Sequence, residues 1–116
     1  MSEPRILIVE DEFIVALDIQ NCLENNGIVV VGKVDSGAAA INAVIELLPD
    51  LVLMDIGLQG EMDGIEAAIQ IRARFDLPVV FLTAFSNQSI LDRARVAEPF
   101  GYIDGIALDI YRSQDT

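Results

Sequence analysis

The 116-residue sequence predicts one α/β domain, a three-layer sandwich in which helices cover both faces of a five-stranded parallel sheet. Three observations lead there. Short, almost wholly apolar runs recur along the chain; amphipathic stretches with three- and four-residue spacing separate them; and two of the runs end in acids, Glu10-Asp11 and Asp55. A strand that is apolar throughout belongs to a sheet buried on both faces, and its alternation with helices calls for parallel pairing through right-handed crossovers.

The first run is Arg-Ile-Leu-Ile-Val-Glu at 5–10. After it Val15, Ala16, Ile19, Cys22 and Leu23 fall on one helical face, with Asp18, Asn21, Glu24 and Asn25 opposite, until Gly27 stops the pattern. Residues 28–34, β-branched and apolar, give a second strand. Ser36 is placed to cap an Ala-rich helix over 38–48, which Pro49 ends. Asp-Leu-Val-Leu-Met-Asp at 50–55 is the third strand, and a glycine-containing stretch, 57–64, leads into a helix over 65–75. Pro-Val-Val-Phe-Leu at 78–82 is the fourth strand. Ser86 or Asn87 caps a further helix bearing Ile90, Leu91, Ala94 and Ala97, and 100–103 supplies the fifth strand. Residues 104–116 offer Ile106, Ile110 and Tyr111 as apolar anchors, enough for a shortened or irregular last helix.

Bulk properties narrow the function classes. A hydrophobic fraction of 53% with 22% charged residues fits a folded domain, and no apolar run approaches the roughly 18 residues of a membrane span. The start of the chain, Met-Ser-Glu-Pro-Arg, has no basic segment followed by an apolar one, so the expected location is the cytoplasm. The net charge of -12 excludes direct nucleic-acid binding as a main activity, because such binding rests on cations that neutralise phosphates. Cys22 has no second cysteine to pair with and no histidine to share a zinc site, and is expected in the core.

The acids matter because of where a sheet of order 2-1-3-4-5 puts them. Its topological switch point lies between the first and third strands, and ligands bind beyond their carboxyl ends. Adjacent strands lie about 4.8 Å apart, so Asp11 and Asp55 approach each other with Glu10 beside them. Like charges so close require protons or a cation, and Mg²⁺ suits a shallow cluster of carboxylate oxygens that it can share with phosphate oxygens. A carboxylate beside such an ion is a competent nucleophile toward phosphorus, a role that falls to Asp55. Thr83 ends the fourth strand on the same side, with a hydroxyl able to donate to a phosphoryl oxygen and to report the event by moving. Taken singly these residues have plainer explanations: acids at a helix N-terminus, an Asp capping a turn, a Thr at a strand end. Their joint placement favours a site.

The ordered segments Ile6-Leu-Ile-Val-Glu-Asp-Glu12, Asp50-Leu-Val-Leu-Met-Asp55, Met62-Asp-Gly-Ile65, Pro78-Val-Val-Phe-Leu-Thr-Ala84 and Phe100-Gly-Tyr-Ile103 closely resemble the response regulator receiver family, over residues 5–103. The resemblance implies a flavodoxin-like fold, with 104–116 as an atypical C-terminal segment. It also implies phosphorylation of Asp55 by a histidine kinase or phosphotransfer protein, with Mg²⁺ held by Glu10, Asp11, Asp55 and the Gly57 carbonyl. Thr83 matches the switch hydroxyl and Tyr102 the switch aromatic, whose ring turns inward when the hydroxyl moves. Output domains or a second copy are expected on the face of strand five and helix four. Catalysis in such a domain is limited to its own phosphorylation and dephosphorylation. The chain departs from the family three residues after the aromatic: Gly105 and Ile106 stand where receivers carry Lys and Pro. The lone lysine is Lys33, near the end of the second strand. The missing ammonium raises a second hypothesis, a pseudo-receiver that docks a partner without phosphorylation. A third, a phosphatase of another α/β family with an Asp nucleophile, is disfavoured because Gly57 offers no general acid two residues after Asp55.

Overall fold

In a computed structural model of the chain, the described residues are 4–58, 60, 62–83 and 101–104. The elements run β1 (Arg5–Val9), α1 (Phe13–Asn25), β2 (Val29–Val34), α2 (Gly37–Leu47), β3 (Leu51–Asp55), α3 (Gly64–Phe75), β4 (Val79–Thr83) and β5 (Gly101–Asp104). They follow the sequence-based assignments to within a residue or two. The helix expected after Ser86 or Asn87 and the segment beyond Asp104 lie outside the described residues.

The strands form one sheet of order β2-β1-β3-β4-β5, every pairing parallel. Alternation along the strands splits the core in two. Leu7, Val9, Val52, Met54, Val79 and Phe81 face α2 and α3, whereas Ile6, Ile8, Leu53, Val80 and Leu82 point to the other side, where Ala16 and Ile19 of α1 cover them. Nearly all of these side chains are buried, which is why the runs read as continuously apolar. Cys22 is buried in α1, as expected of a core residue. β2, at the sheet edge, is only half-buried, and its register against β1 shifts between Ile6 and Leu7, so that Ile6 pairs with Val30 and Leu7 with Gly32.

Helix ends show why the elements stop where they do. Ser36 Oγ accepts from the Ala39 amide at 3.1 Å, fixing the start of α2. At its other end Leu48 turns left-handed with φ 48° ahead of Pro49. There the Arg5 guanidinium donates to the Leu47 and Leu48 carbonyls, each at 2.8 Å, placing a cation at the negative end of the helix. The Arg5 amide also donates to Asp50 Oδ2 at 2.9 Å, and the Asp50 amide to the Arg5 carbonyl at 2.8 Å. This brace fixes the amino ends of β1 and β3 together, and so aligns their carboxyl ends.

α3 begins at Asp63, whose Oδ1 accepts from the Glu66 amide at 2.9 Å. Its first residue, Gly64, packs directly on the backbone carbonyl of Asp55, and a Cβ there would collide with that oxygen. Backbone cannot move aside as a side-chain tip can, so the glycine is required by the close approach of α3 to the end of β3. Gly64→Ala is therefore expected to cost about 1–3 kcal/mol, the range for inserted bulk that a packed site cannot absorb. Urea denaturation checks it; a variant within about 0.5 kcal/mol of the parent would show that the helix can withdraw freely.

Candidate functional site

The register places Val9 opposite Met54, so Glu10 and Asp55 occupy the next rung of the adjacent strands. The Glu10 amide donates to the Val34 carbonyl at 2.9 Å, extending the β1–β2 ladder by one bond and fixing the backbone that carries the acid. Asp11 follows at the turn into α1. One carboxylate oxygen from each of Glu10, Asp11 and Asp55 lies within 4.8 Å of the others, forming the convergence inferred from the strand order. Glu10 is buried, Asp55 half-buried and Asp11 exposed, so the cluster opens to solvent on one side.

Local hydrogen bonds orient two of the three acids. Glu10 Oε1 accepts from the Glu12 amide at 3.1 Å, and Asp55 Oδ1 accepts from the Gly57 amide at 2.9 Å. Both are short-range turn contacts, so the plainer role weighed for Asp55, capping its own turn, is also fulfilled. Burial lifts the Glu10 carboxyl from its ordinary value of 4.5 to about 8, the nearby Asp55 charge adding to the rise while the Glu12 amide opposes it. Burial also holds the Asp55 carboxyl above its usual range, against the pull of the Gly57 amide, and the neighbouring Asp11 charge adds to the effect. Ionised together, two carboxylates this close repel by on the order of 3–4 kcal/mol at an effective dielectric near 20. The cluster is thus built for a proton or a cation, and its all-oxygen donor set fits a hard divalent ion such as Mg²⁺.

The other site residues inferred from the sequence are placed through the backbone. Gly57 is exposed two positions beyond β3, with its amide on Asp55. Asp55 pairs with Leu82, so Thr83 stands one rung further along the neighbouring strand, and Tyr102 in β5 pairs with Phe81. The side chains of Thr83 and Tyr102, and all of Gly105, lie outside the described residues. Sequence reasoning missed two residues near the site. Phe13 and Lys33 line an open cleft of about 420 Å³ that Glu10, Asp11 and Asp35 also line, with the Lys33 ammonium 5.7 Å from the centre of the Phe13 ring. The available signal was the pairing of β2 with β1, which brings a residue near the end of β2 alongside the switch point.

A doubly wound parallel sheet with acids gathered beyond its two central strands defines a class of α/β domains that bind ligands at the switch point. Within that class the chain belongs to the response regulator receiver domain family, which it matches over residues 6–104. It is 37% identical over 99 residues to the transcriptional regulatory protein PdtaR of Mycobacterium tuberculosis, covering 85% of this chain and 48% of that protein. With the response regulator protein VraR of Staphylococcus aureus it shares 41% over 103 residues, again 85% of this chain and 48% of the other. The chain therefore spans about half the length of these curated relatives. Among solved structures, the signal receiver domain of a modulated diguanylate cyclase from Desulfovibrio desulfuricans superposes with a TM-score of 0.84 at 33% identity, covering 98% of this chain and 94% of that one. The isolated receiver domain of RcsB from Salmonella enterica, in the presence of the phosphomimetic BeF3⁻, superposes at 0.81 with 25% identity, covering 94% and 85%. Among the described residues no helix is long and apolar enough to cross a membrane.

The raised Glu10 carboxyl sets a pH dependence. Because its folded-state value, about 8, lies above its ordinary 4.5, its contribution to stability is complete below pH 4.5 and is lost as pH rises toward 8. In chelator-treated protein, the stability of wild type relative to Glu10→Gln should fall across that window by a few kcal/mol. Urea titrations at several pH values test this; a constant difference between the two proteins would contradict it.

Proposed function

We propose that the chain is a phospho-accepting signalling switch in which Asp55 receives a phosphoryl group from a histidine kinase or phosphotransfer protein. The observation that carries this reading is the convergence of Glu10, Asp11 and Asp55 within 4.8 Å at the switch point of a receiver fold. An Asp55 carboxylate oxygen attacks phosphorus, a new O–P bond forms, the P–N bond to the donor imidazole breaks, and the released nitrogen takes a proton from solvent. The Gly57 amide orients the Asp55 carboxylate through Oδ1. Glu10, Asp11, Asp55 and the Gly57 carbonyl would hold Mg²⁺, which when bound neutralises charge on the acids and on the phosphoryl oxygens. Thr83, one rung beyond Asp55 on the adjacent strand, donates to a phosphoryl oxygen, and Tyr102 on β5 relays the shift to the outer face of the sheet.

On this reading the chain catalyses at most its own phosphorylation and dephosphorylation, works in the cytoplasm, and passes its state to an output domain or a second copy through β5 and the helix the sequence predicts before it. Half-length coverage of PdtaR and VraR makes an output segment joined to this one a natural arrangement. A second reading is favoured by one feature of the sequence: Gly105 and Ile106 stand where receivers carry Lys and Pro. The chain would then be a docking module insensitive to phosphorylation.

Two experiments separate these. Incubation with acetyl phosphate and Mg²⁺ should add one phosphoryl group by intact-protein mass spectrometry, and Asp55→Asn should add none; an unmodified wild type leaves the docking module as the better account. Millimolar Mg²⁺ should raise the melting temperature of wild type, and Asp11→Ala should remove most of that rise. A melting curve indifferent to Mg²⁺ would sink the metal assignment.

A further inference from the structure

Among the described cations, one stands near the acid cluster. Arg5 sits at the amino end of β1 with its guanidinium on the Leu47 and Leu48 carbonyls, at the opposite end of the sheet from the acids. Arg72 and Arg74 lie in the last turn of α3, whose first residue packs on the Asp55 carbonyl, so about 12 Å of helix or more separates them from the cluster. Lys33 is at the carboxyl end of the sheet. It precedes Val34, whose carbonyl accepts the Glu10 amide, and it lines the open cleft that Glu10, Asp11 and Asp35 also line. Three carboxylates therefore meet one ammonium in that cleft, and two of the three belong to the candidate Mg²⁺ site.

The Phe13 ring gives this ammonium a definite position. Phe13 opens α1, and the Lys33 ammonium lies 5.7 Å from the centre of its ring. An aromatic face attracts a cation without neutralising it, so the full unit charge stays in the cleft. For the acids that charge is attractive, and it offsets part of their mutual repulsion while no metal is bound. For an incoming divalent cation the same charge is repulsive. The two effects are linked: the support that Lys33 gives the metal-free cluster is given up when a metal enters, and so weakens the metal's binding by the same factor. Lys33 is exposed, which keeps the factor small and makes it sensitive to salt.

We propose that Lys33, held over Phe13, is a resident counter-charge of the acid cluster that competes with the divalent cation and so sets the Mg²⁺ concentration at which the site fills. The inference rests on reading Glu10, Asp11 and Asp55 as a Mg²⁺ site. Lys33 ligates nothing; it acts through the charge it adds beside Glu10 and Asp11. In calorimetric titrations of the whole chain with Mg²⁺, Lys33→Met, which keeps the apolar stem and removes the charge, should lower Kd about two- to fivefold. Lys33→Arg should keep the wild-type Kd, Lys33→Glu should lower it further than Met does, and the difference between wild type and Lys33→Met should shrink as KCl rises. In chelator Lys33→Met should melt below Lys33→Arg, and saturating Mg²⁺ should narrow that gap. A lysine that only packs on the ring would leave Kd unchanged and lower both melting curves alike, and that result would overturn the proposal while leaving the Mg²⁺ site standing. If wild type binds no Mg²⁺, Lys33→Met decides: binding that Asp11→Ala then removes upholds Lys33 as the competing charge, and no binding ends both the proposal and the metal assignment.

Discussion

The repulsion between carboxylates at the ends of β1 and β3 is the interaction on which the rest of this structure depends. A fold free to minimise its own energy would not bury Glu10 beside Asp55, since burial and like charge both act against the ionised pair. The cost is met by the remainder of the domain, which holds the two strand ends in register whatever their charge state. Such stored electrostatic strain is characteristic of a place where something else binds.

The features that hold the acids in place sit at both ends of the sheet. At the amino ends, the Arg5–Asp50 brace ties β1, β3 and the end of α2 together, and the ladder then carries that alignment through Val9 and Met54 to the acids. At the carboxyl ends, the Gly64 contact presses the start of α3 against the Asp55 carbonyl, so the helix supports the backbone beneath the Asp55 carboxylate. In between lie two buried layers whose side chains alternate across the sheet, and close packing makes them stiff enough to resist the repulsion. Fold and site are linked in this way: the apolar runs that make the strands recognisable also immobilise the acids that end them.

That linkage explains what the sequence made legible. Strands buried on both faces read as unbroken apolar runs, and the helices showed their stripes, so element order and sheet order followed from pattern and connection rules. The meeting of Glu10, Asp11 and Asp55 followed from strand order alone, because it depends on backbone adjacency rather than on side-chain detail. Asp63 as the cap of α3 and the need for glycine at 64 were not seen, since both depend on how closely one helix approaches one carbonyl. Lys33 was noticed as the lone lysine, but its neighbour was not. The shift in β2 pairing and the rotation of α1 decide that it meets Phe13, and neither is encoded in a short pattern. Helix boundaries were correct to a residue or two where a cap or a proline marked them, as at Ser36 and Pro49.

The replacement of the usual Lys-Pro pair by Gly105 and Ile106 gains its meaning from the same electrostatics. An ammonium beside Asp55 would offset one of the clustered charges permanently, whereas without one the balance is left to ions and protons from solution. A site so arranged is more responsive to divalent cation concentration and to pH than one that carries its own counter-charge. The raised Glu10 carboxyl expresses this dependence: without a cation, a proton is the nearest substitute.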